Sequence, residues 1–140
     1  MFYIDTSVLV AYYCPEALSD KVEHYLMRGQ SVISPLTEVE LFSAVSRKIR
    51  EGQMQSTDGR RVLARYLSHA EGSFYLKVAI ETHHYRLARD WLGEFSTPLR
   101  SFDALHLAVA VSEDLTPLTA DRAFSKSANA LGIKTVFLEV

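Results

Sequence analysis

Met1-Phe-Tyr-Ile-Asp-Thr-Ser-Val-Leu-Val-Ala-Tyr12 passes from an apolar run, Met1 to Ile4, through one carboxylate and two hydroxyls into Val8, Leu9, Ala11 and Tyr12. The run suits a buried strand. Thr6 and Ser7 offer caps for the helix that the following apolar residues form. A strand, a tight turn and a helix therefore open the chain, and Asp5 is the first polar residue beyond the strand.

The same alternation recurs along the sequence. Leu18 to Met27 has helical spacing and is stopped by Arg28-Gly29, and Ser31 to Ser34 is a short β-branched run. After Pro35 a helix runs through Val39, Leu41, Phe42, Val45 and Ile49 to Gly52. Ser56 to Ala70 is helical, Phe74 to Val78 is a strand candidate, and Glu81 to Phe95 is helical up to the break at Thr97-Pro98. A helix over Arg100 to Val111, a strand at Pro117-Leu118, a helix from Ala120 to Leu131 and a strand from Lys134 to Leu138 complete the pattern. Parallel neighbours need helical crossovers, so the pattern predicts an α/β fold with a parallel sheet covered on both faces. In such sheets the ligand crevice lies beyond the carboxyl ends of the strands.

At 140 residues and 48% hydrophobic content, the chain is expected to form one domain, residues 1–140, with one site. Fifteen basic and 17 acidic side chains give a formal charge of −2, which excludes the global signature of a strongly basic nucleic-acid binder. The lone cysteine, Cys14, can make neither an internal disulfide nor a multi-cysteine metal site. With no apolar run of the roughly 20 residues that span a bilayer and no secretory leader pattern, a cytoplasmic, membrane-free protein is expected.

The acids carry the chemistry. Asp5 and Asp121 each follow a short apolar strand at the entry to a helix, where a cap or a crevice ligand would both sit. Asp103 stands in the first turn of an almost wholly apolar helix; Ser101 could cap it, and the acid complements the macrodipole. Its stripe continues through Leu107 and Ala110, so the carboxylate is expected to face inward or into a cleft. A buried carboxylate must be protonated, paired or bound to metal. On the Pro35 helix, Glu38 shares the stripe of Phe42, Val45 and Ile49, whereas Glu40 lines up with Ala44 and Arg47, and periodicity does not choose between them. Several acids without a Cys/His set suit Mg²⁺ or Mn²⁺ and the hydrolysis of phosphate esters.

Four segments, Met1-Phe-Tyr-Ile-Asp-Thr-Ser-Val-Leu-Val10, Ser34-Pro-Leu-Thr-Glu-Val-Glu-Leu41, Leu99-Arg-Ser-Phe-Asp-Ala-Leu-His-Leu-Ala108 and Leu118-Thr-Ala-Asp-Arg-Ala-Phe124, together resemble the PIN-domain ribonucleases. Among these they look like the VapC toxins of bacterial and archaeal toxin–antitoxin pairs. The resemblance spans the chain in order. It implies a three-layer sandwich around a five-stranded parallel sheet and an acidic quartet at Asp5, Glu40, Asp103 and Asp121 around Mg²⁺ or Mn²⁺. It is the resemblance that selects Glu40 over Glu38, makes Asp5 and Asp103 the direct metal ligands, and assigns Thr6, Ser7 and Thr119 to supporting hydroxyl positions. Some relatives carry a further acid just after the fourth, where this chain has Arg122 and Ala123. The family further implies cleavage of RNA, often a tRNA, a cognate antitoxin and a homodimer.

Arg47, Lys48, Arg50, Arg60, Arg61 and Arg65 gather in adjoining helical segments, where they form a solvated face or, as a group, hold RNA phosphates. His83-His84 and His106 are read as non-ligands, because adjacent histidines point to different helix faces and no acid lies at ligand spacing. Tyr12, Tyr13, Tyr66 and Trp91 are read as core or interface residues. Two rivals remain. A haloacid-dehalogenase-like phosphatase would need a second Asp where Ser7 stands, and a non-catalytic PIN scaffold would bind RNA or protein without cutting.

Overall fold

The computed structural model describes residues 1–14 and 18–139. Its strands are β1 (Phe2–Ile4), β2 (Ser31–Ile33), β3 (Tyr75–Lys77), β4 (Thr116–Thr119) and β5 (Val136–Phe137). Its helices are α1 (Thr6–Tyr13), α2 (Ser19–Arg28), α3 (Pro35–Arg50), α4 (Ser56–Glu71), α5 (Thr82–Leu92), α6 (Ser101–Ser112) and α7 (Arg122–Ala130). The strands form one parallel sheet in the order β3-β2-β1-β4-β5. This is the expected α/β sandwich with a five-stranded parallel sheet.

Strand residues alternate between the two faces as the two-residue period requires. Ile4, Ile33 and Leu118 pack on one face in a core shared with Val8, Leu9, Leu41, Val45 and Tyr66 from α1, α3 and α4. Tyr3 and Val32 turn the other way, toward Val109 and Ala110 of α6. Two smaller clusters join α5 to α6 and α6 to α7. Helix α6 is thus apolar almost all round because it is buried almost all round: Ala104 through Ala110 are all inaccessible or nearly so.

Strand β1 lies at the centre, with β2 on one side and β4 on the other. The chain leaves β1 toward one flank and returns through β4 on the opposite flank, so the topological switch point lies at the carboxyl ends of β1 and β4. Asp5 follows the first of these strands, and Thr119 ends the second.

Three local expectations differ. Helix α5 stops at Leu92 rather than Phe95; Gly93 is its C-cap, and Phe95 has φ 56° with a side chain 91% exposed. Val39, placed in the apolar stripe of α3 by its spacing, is 65% exposed, because the buried stripe is Thr37, Leu41 and Val45. The cap position of α6 is Arg100, with Ser101 inside the first turn and no side-chain capping bond. Among the described residues no helix is long and apolar enough to cross a membrane.

Candidate active site

Asp5 occupies the N-cap position of α1, but its carboxylate does not cap the helix. Instead Oδ2 accepts the Ser7 hydroxyl at 2.6 Å and the Thr119 hydroxyl at 2.8 Å. Both hydroxyls are held in turn, since Ser7 Oγ accepts the Ala120 N–H at 2.9 Å and Thr119 Oγ1 accepts the Asp121 N–H at 3.0 Å. The ends of β1 and β4 are therefore laced together around one carboxylate oxygen. The other oxygen, Oδ1, receives no hydrogen bond from the described residues.

Glu40 reaches the same place from α3 and is held in the same way. Its Oε1 accepts the Thr6 hydroxyl at 2.9 Å and a bond from His106 Nε2, while Oε2 has no donor among the described residues. Asp121 caps α7, with Oδ1 accepting the N–H groups of Ala123 (2.9 Å) and Phe124 (3.3 Å). The residue caps the helix and also lines a cavity that it shares with Asp5 and Glu40. Three acids thus each spend one oxygen on the protein.

Asp103, in the first turn of α6, makes no hydrogen bond among the described residues. Together the four acids line one cavity of about 410 Å³ with Thr6, Ser7, Val10, Val39, Ser43, Ala44, Arg47 and Phe102. Burial, followed by the charges of Asp5 and Asp121, pushes the Asp103 carboxyl up to about 6. Burial raises Asp5 as well, against the lowering effect of His106 and of its two hydroxyl donors. A cluster of partly buried carboxylates that hinder one another's ionisation is the electrostatic setting that a divalent cation relieves. Carboxylates and hydroxyls are hard oxygen donors, with free oxygens on Asp5 and Glu40, so the residues present fit Mg²⁺ or Mn²⁺. No three of these acids bring ligand atoms within 4.8 Å of one another.

The PIN domain family matches residues 2–130. The chain belongs to the PIN-domain family. In fold, this PIN domain is similar to the sarcin–ricin-loop-cleaving toxin VapC20 of Mycobacterium tuberculosis, at 16% identity and a TM-score of 0.76 over 99% of this chain and 100% of that one. It is also similar to FitAcB of Neisseria gonorrhoeae, at 18% identity and 0.71 over 99% and 97% of the two chains. A third similar structure is VapBC2 of Rickettsia felis bound to a promoter DNA fragment, at 19% and 0.65 over 99% and 98%. No curated protein matches the sequence.

Around the acids of this PIN domain, the hydroxyls of Thr6, Ser7 and Thr119 all bond to Asp5 or Glu40. Glu38 does not line the cavity. Of the basic residues, Arg47 lines the acidic cavity and also an adjoining one of about 560 Å³, which Lys48 shares. Arg61 and Arg65 line a third cavity with Tyr13, whereas Arg50 bonds to Ser46 and Arg60 lies on the open surface of α4.

Packing brings acids to the histidines that sequence spacing does not show. Glu113, at the C-cap of α6, comes within 3.3 Å of His84 Nε2, and His83, His84 and Glu113 place ligand atoms within 4.8 Å of one another. An acid does lie close, brought by the packing of α6 on α5. The trio is nevertheless not a ligand set, because His84 belongs to the capping box of α5 and its Nδ1 accepts the Glu81 N–H at 2.9 Å. That bond places the ring proton on Nε2, the nitrogen that faces the trio, and a protonated nitrogen is no ligand. His106 is the residue the sequence reading passed over. It lies three residues beyond Asp103, a spacing that puts both on one helix face, and this was the available signal.

Proposed function

We propose that this PIN domain is a metal-dependent endoribonuclease of the VapC toxin type, hydrolysing phosphodiester bonds in RNA, with a tRNA as a candidate target. The observation that carries this reading is the single cavity lined by Asp5, Glu40, Asp103 and Asp121, in which Asp5 and Glu40 are each anchored through one oxygen and keep the other without a donor among the described residues. Asp5 and Asp103 would hold Mg²⁺ or Mn²⁺ directly, with Glu40 and Asp121 completing the shell. A bound divalent ion supplies an activated water and charge for the attacked phosphate.

The chain's own groups do the remaining work. Glu40 and Asp121 present carboxylate oxygens that orient water, and Arg47 at the rim offers a cation to a neighbouring phosphate. Lys48, Arg61 and, with less cavity support, Arg50 and Arg60 extend the basic surface away from the acids. The reading takes the whole chain as one PIN domain acting in the cytoplasm as a homodimer and restrained by a cognate antitoxin. Val39, Phe102 and Tyr85, all more than half exposed, line an apolar cavity of about 480 Å³ that shares Val39 and Phe102 with the acidic one, a surface suited to a protein partner. Complexes named as VapBC and FitAB among the similar folds support an antitoxin of that kind.

The test is cleavage of cellular RNA with Mg²⁺ or Mn²⁺ by the wild type, Asp5→Asn and Asp103→Asn. Loss of about 100-fold or more in rate is expected for each variant. Variants that cut as fast as the wild type would refute the assignment, and a wild type that binds RNA without cutting it would make the protein a scaffold.

A further inference from the structure

A glutamate side chain has three rotatable bonds, so a useful position for the Glu40 carboxylate has to be imposed by its contacts. Thr6 supplies one contact from α1, and His106 supplies the other from α6. Both fall on Oε1, which leaves Oε2 as the oxygen that can face the cavity. Because a carboxylate is acceptor-only, the proton of this bond sits on His106 Nε2.

The imidazole is itself tightly held. His106 is 0% exposed, and its Nδ1 lies 2.7 Å from Tyr3 Oη, which is 1% exposed with the rest of Tyr3. Tyr3 Oη is in turn 2.8 Å from Ser34 Oγ, and Ser34 is the N-cap of α3, the helix that carries Glu40. The bonds run from the start of α3 through β1 and α6 and return to α3 at Glu40, fixing the helix and its carboxylate against the same strand.

We propose that His106 is a positioning residue of this site: donating Nε2–H to Glu40 Oε1, with Tyr3 holding the opposite ring nitrogen, it directs Oε2 to the divalent cation and its water. The proposal rests on the reading of the cavity as a metal-dependent nuclease site. His106 touches neither substrate nor cation and acts through Glu40 alone.

The test compares wild type, His106→Leu, His106→Gln, Glu40→Gln and the double variant His106→Leu/Glu40→Gln. Each is measured for Mn²⁺ affinity by calorimetry without RNA, for RNA cleavage at saturating Mn²⁺, and for thermal melting. Leucine fills the buried volume without a donor, whereas the glutamine amide reaches about as far as Nε2. His106→Leu is expected to weaken Mn²⁺ binding or slow cleavage by about 10- to 100-fold, His106→Gln to restore most of that loss, and His106→Leu to add nothing once Glu40 is Gln. A His106→Leu effect confined to the melting temperature, or an equal effect with and without Glu40, overturns the proposal. A wild type that binds Mn²⁺ through the coupled pair but cuts no RNA refutes the nuclease reading and leaves the positioning role intact. Cleavage by the wild type with His106→Leu unimpaired does the reverse, and a wild type that binds no Mn²⁺ overturns both.

Discussion

Asp103 differs from its three companions in having no donor of its own. Its carboxyl, pushed up to about 6 by burial and by the neighbouring Asp5 and Asp121 charges, holds its proton more tightly in the folded chain than in the unfolded one. The sign follows from linkage. A raised carboxyl adds stability that is complete below the unfolded pKa near 4 and is lost as pH rises through about 6. The metal-free protein should therefore melt at progressively lower temperature between about pH 4 and pH 7, and Asp103→Asn should flatten that slope. At neutral pH the variant should be more stable by roughly 1 kcal/mol, a few degrees in Tm, while losing cleavage activity. Divalent cation should raise the wild-type Tm at neutral pH and lose this effect below about pH 6, where protons compete for the same oxygens. Melting curves at a series of pH values with and without Mn²⁺ check all three points, and an unchanged slope in Asp103→Asn would remove this residue from the cluster. At this scale Asp5, Asp103 and Asp121 were legible from the residues because charge beside an apolar stretch is conspicuous, whereas Glu40 was told from Glu38 only by the family resemblance. His106 was not legible, since a histidine among Leu105, Leu107 and Ala108 reads as core, and its partners Glu40 and Tyr3 lie 66 and 103 residues away.

Helix α6 shows how an element turns packing into placement. Leu107, 0% exposed, packs on Phe124 and Ala128 of α7 one turn beyond Asp103, whereas Phe102, next to the acid, is 55% exposed and lines the cavity. Leu107→Ala should cost about 2–5 kcal/mol by emptying a closed contact, and Phe102→Ala should stay within roughly 0.5 kcal/mol. Cleavage should respond in the opposite order, with Phe102→Ala impairing RNA KM in a protein of wild-type Tm and Leu107→Ala leaving the folded fraction active at low temperature. Chemical denaturation paired with steady-state kinetics separates the two, and an equal stability loss in both would contradict the packing. A long, almost wholly apolar run made α6 readable from sequence, helical period did so for α3 and α4, and short apolar runs bounded by turn residues did the same for most strands. Boundaries were less legible. The α5 pattern continues through Phe95 in spacing alone, but Gly93 and the left-handed backbone at Phe95 end the helix earlier. Val39 satisfies an apolar period and still faces outward, because its neighbours on the rim of the site are Phe102 and Leu36 rather than the sheet.

For the whole molecule, alternating elements imply a parallel sheet, but no local signal ranks the strands. The order β3-β2-β1-β4-β5 emerges only from pairing, and it is this order that brings Asp5 beside Thr119 from 114 residues away. Charge behaves in the same way: a total of −2 conceals a cavity with four acids and one cation, Arg47, beside one where Arg47 and Lys48 outnumber a single acid, Glu51. The acidic cavity shares Ser7, Val10, Ala44 and Arg47 with the second, and the second shares Gln53 with the third, which carries Arg61 and Arg65. A single RNA strand laid along this run would place one phosphate at the acids and later ones against Arg47 and Arg61, while Arg60 would meet none. Each phosphate contact releases condensed counterion, so the slope of log K against log salt falls by about 0.7 for every contact removed from a single strand. In an Asp5→Asn background that keeps the RNA whole, Arg47→Ala and Arg61→Ala should each weaken binding and reduce that slope by about 0.7, and Arg60→Ala should change neither. Fluorescence anisotropy over a salt series measures this directly. Equal slopes for all three variants would place the RNA on another face, and a slope lost only with Arg60→Ala would reverse the direction in which the strand leaves the acids.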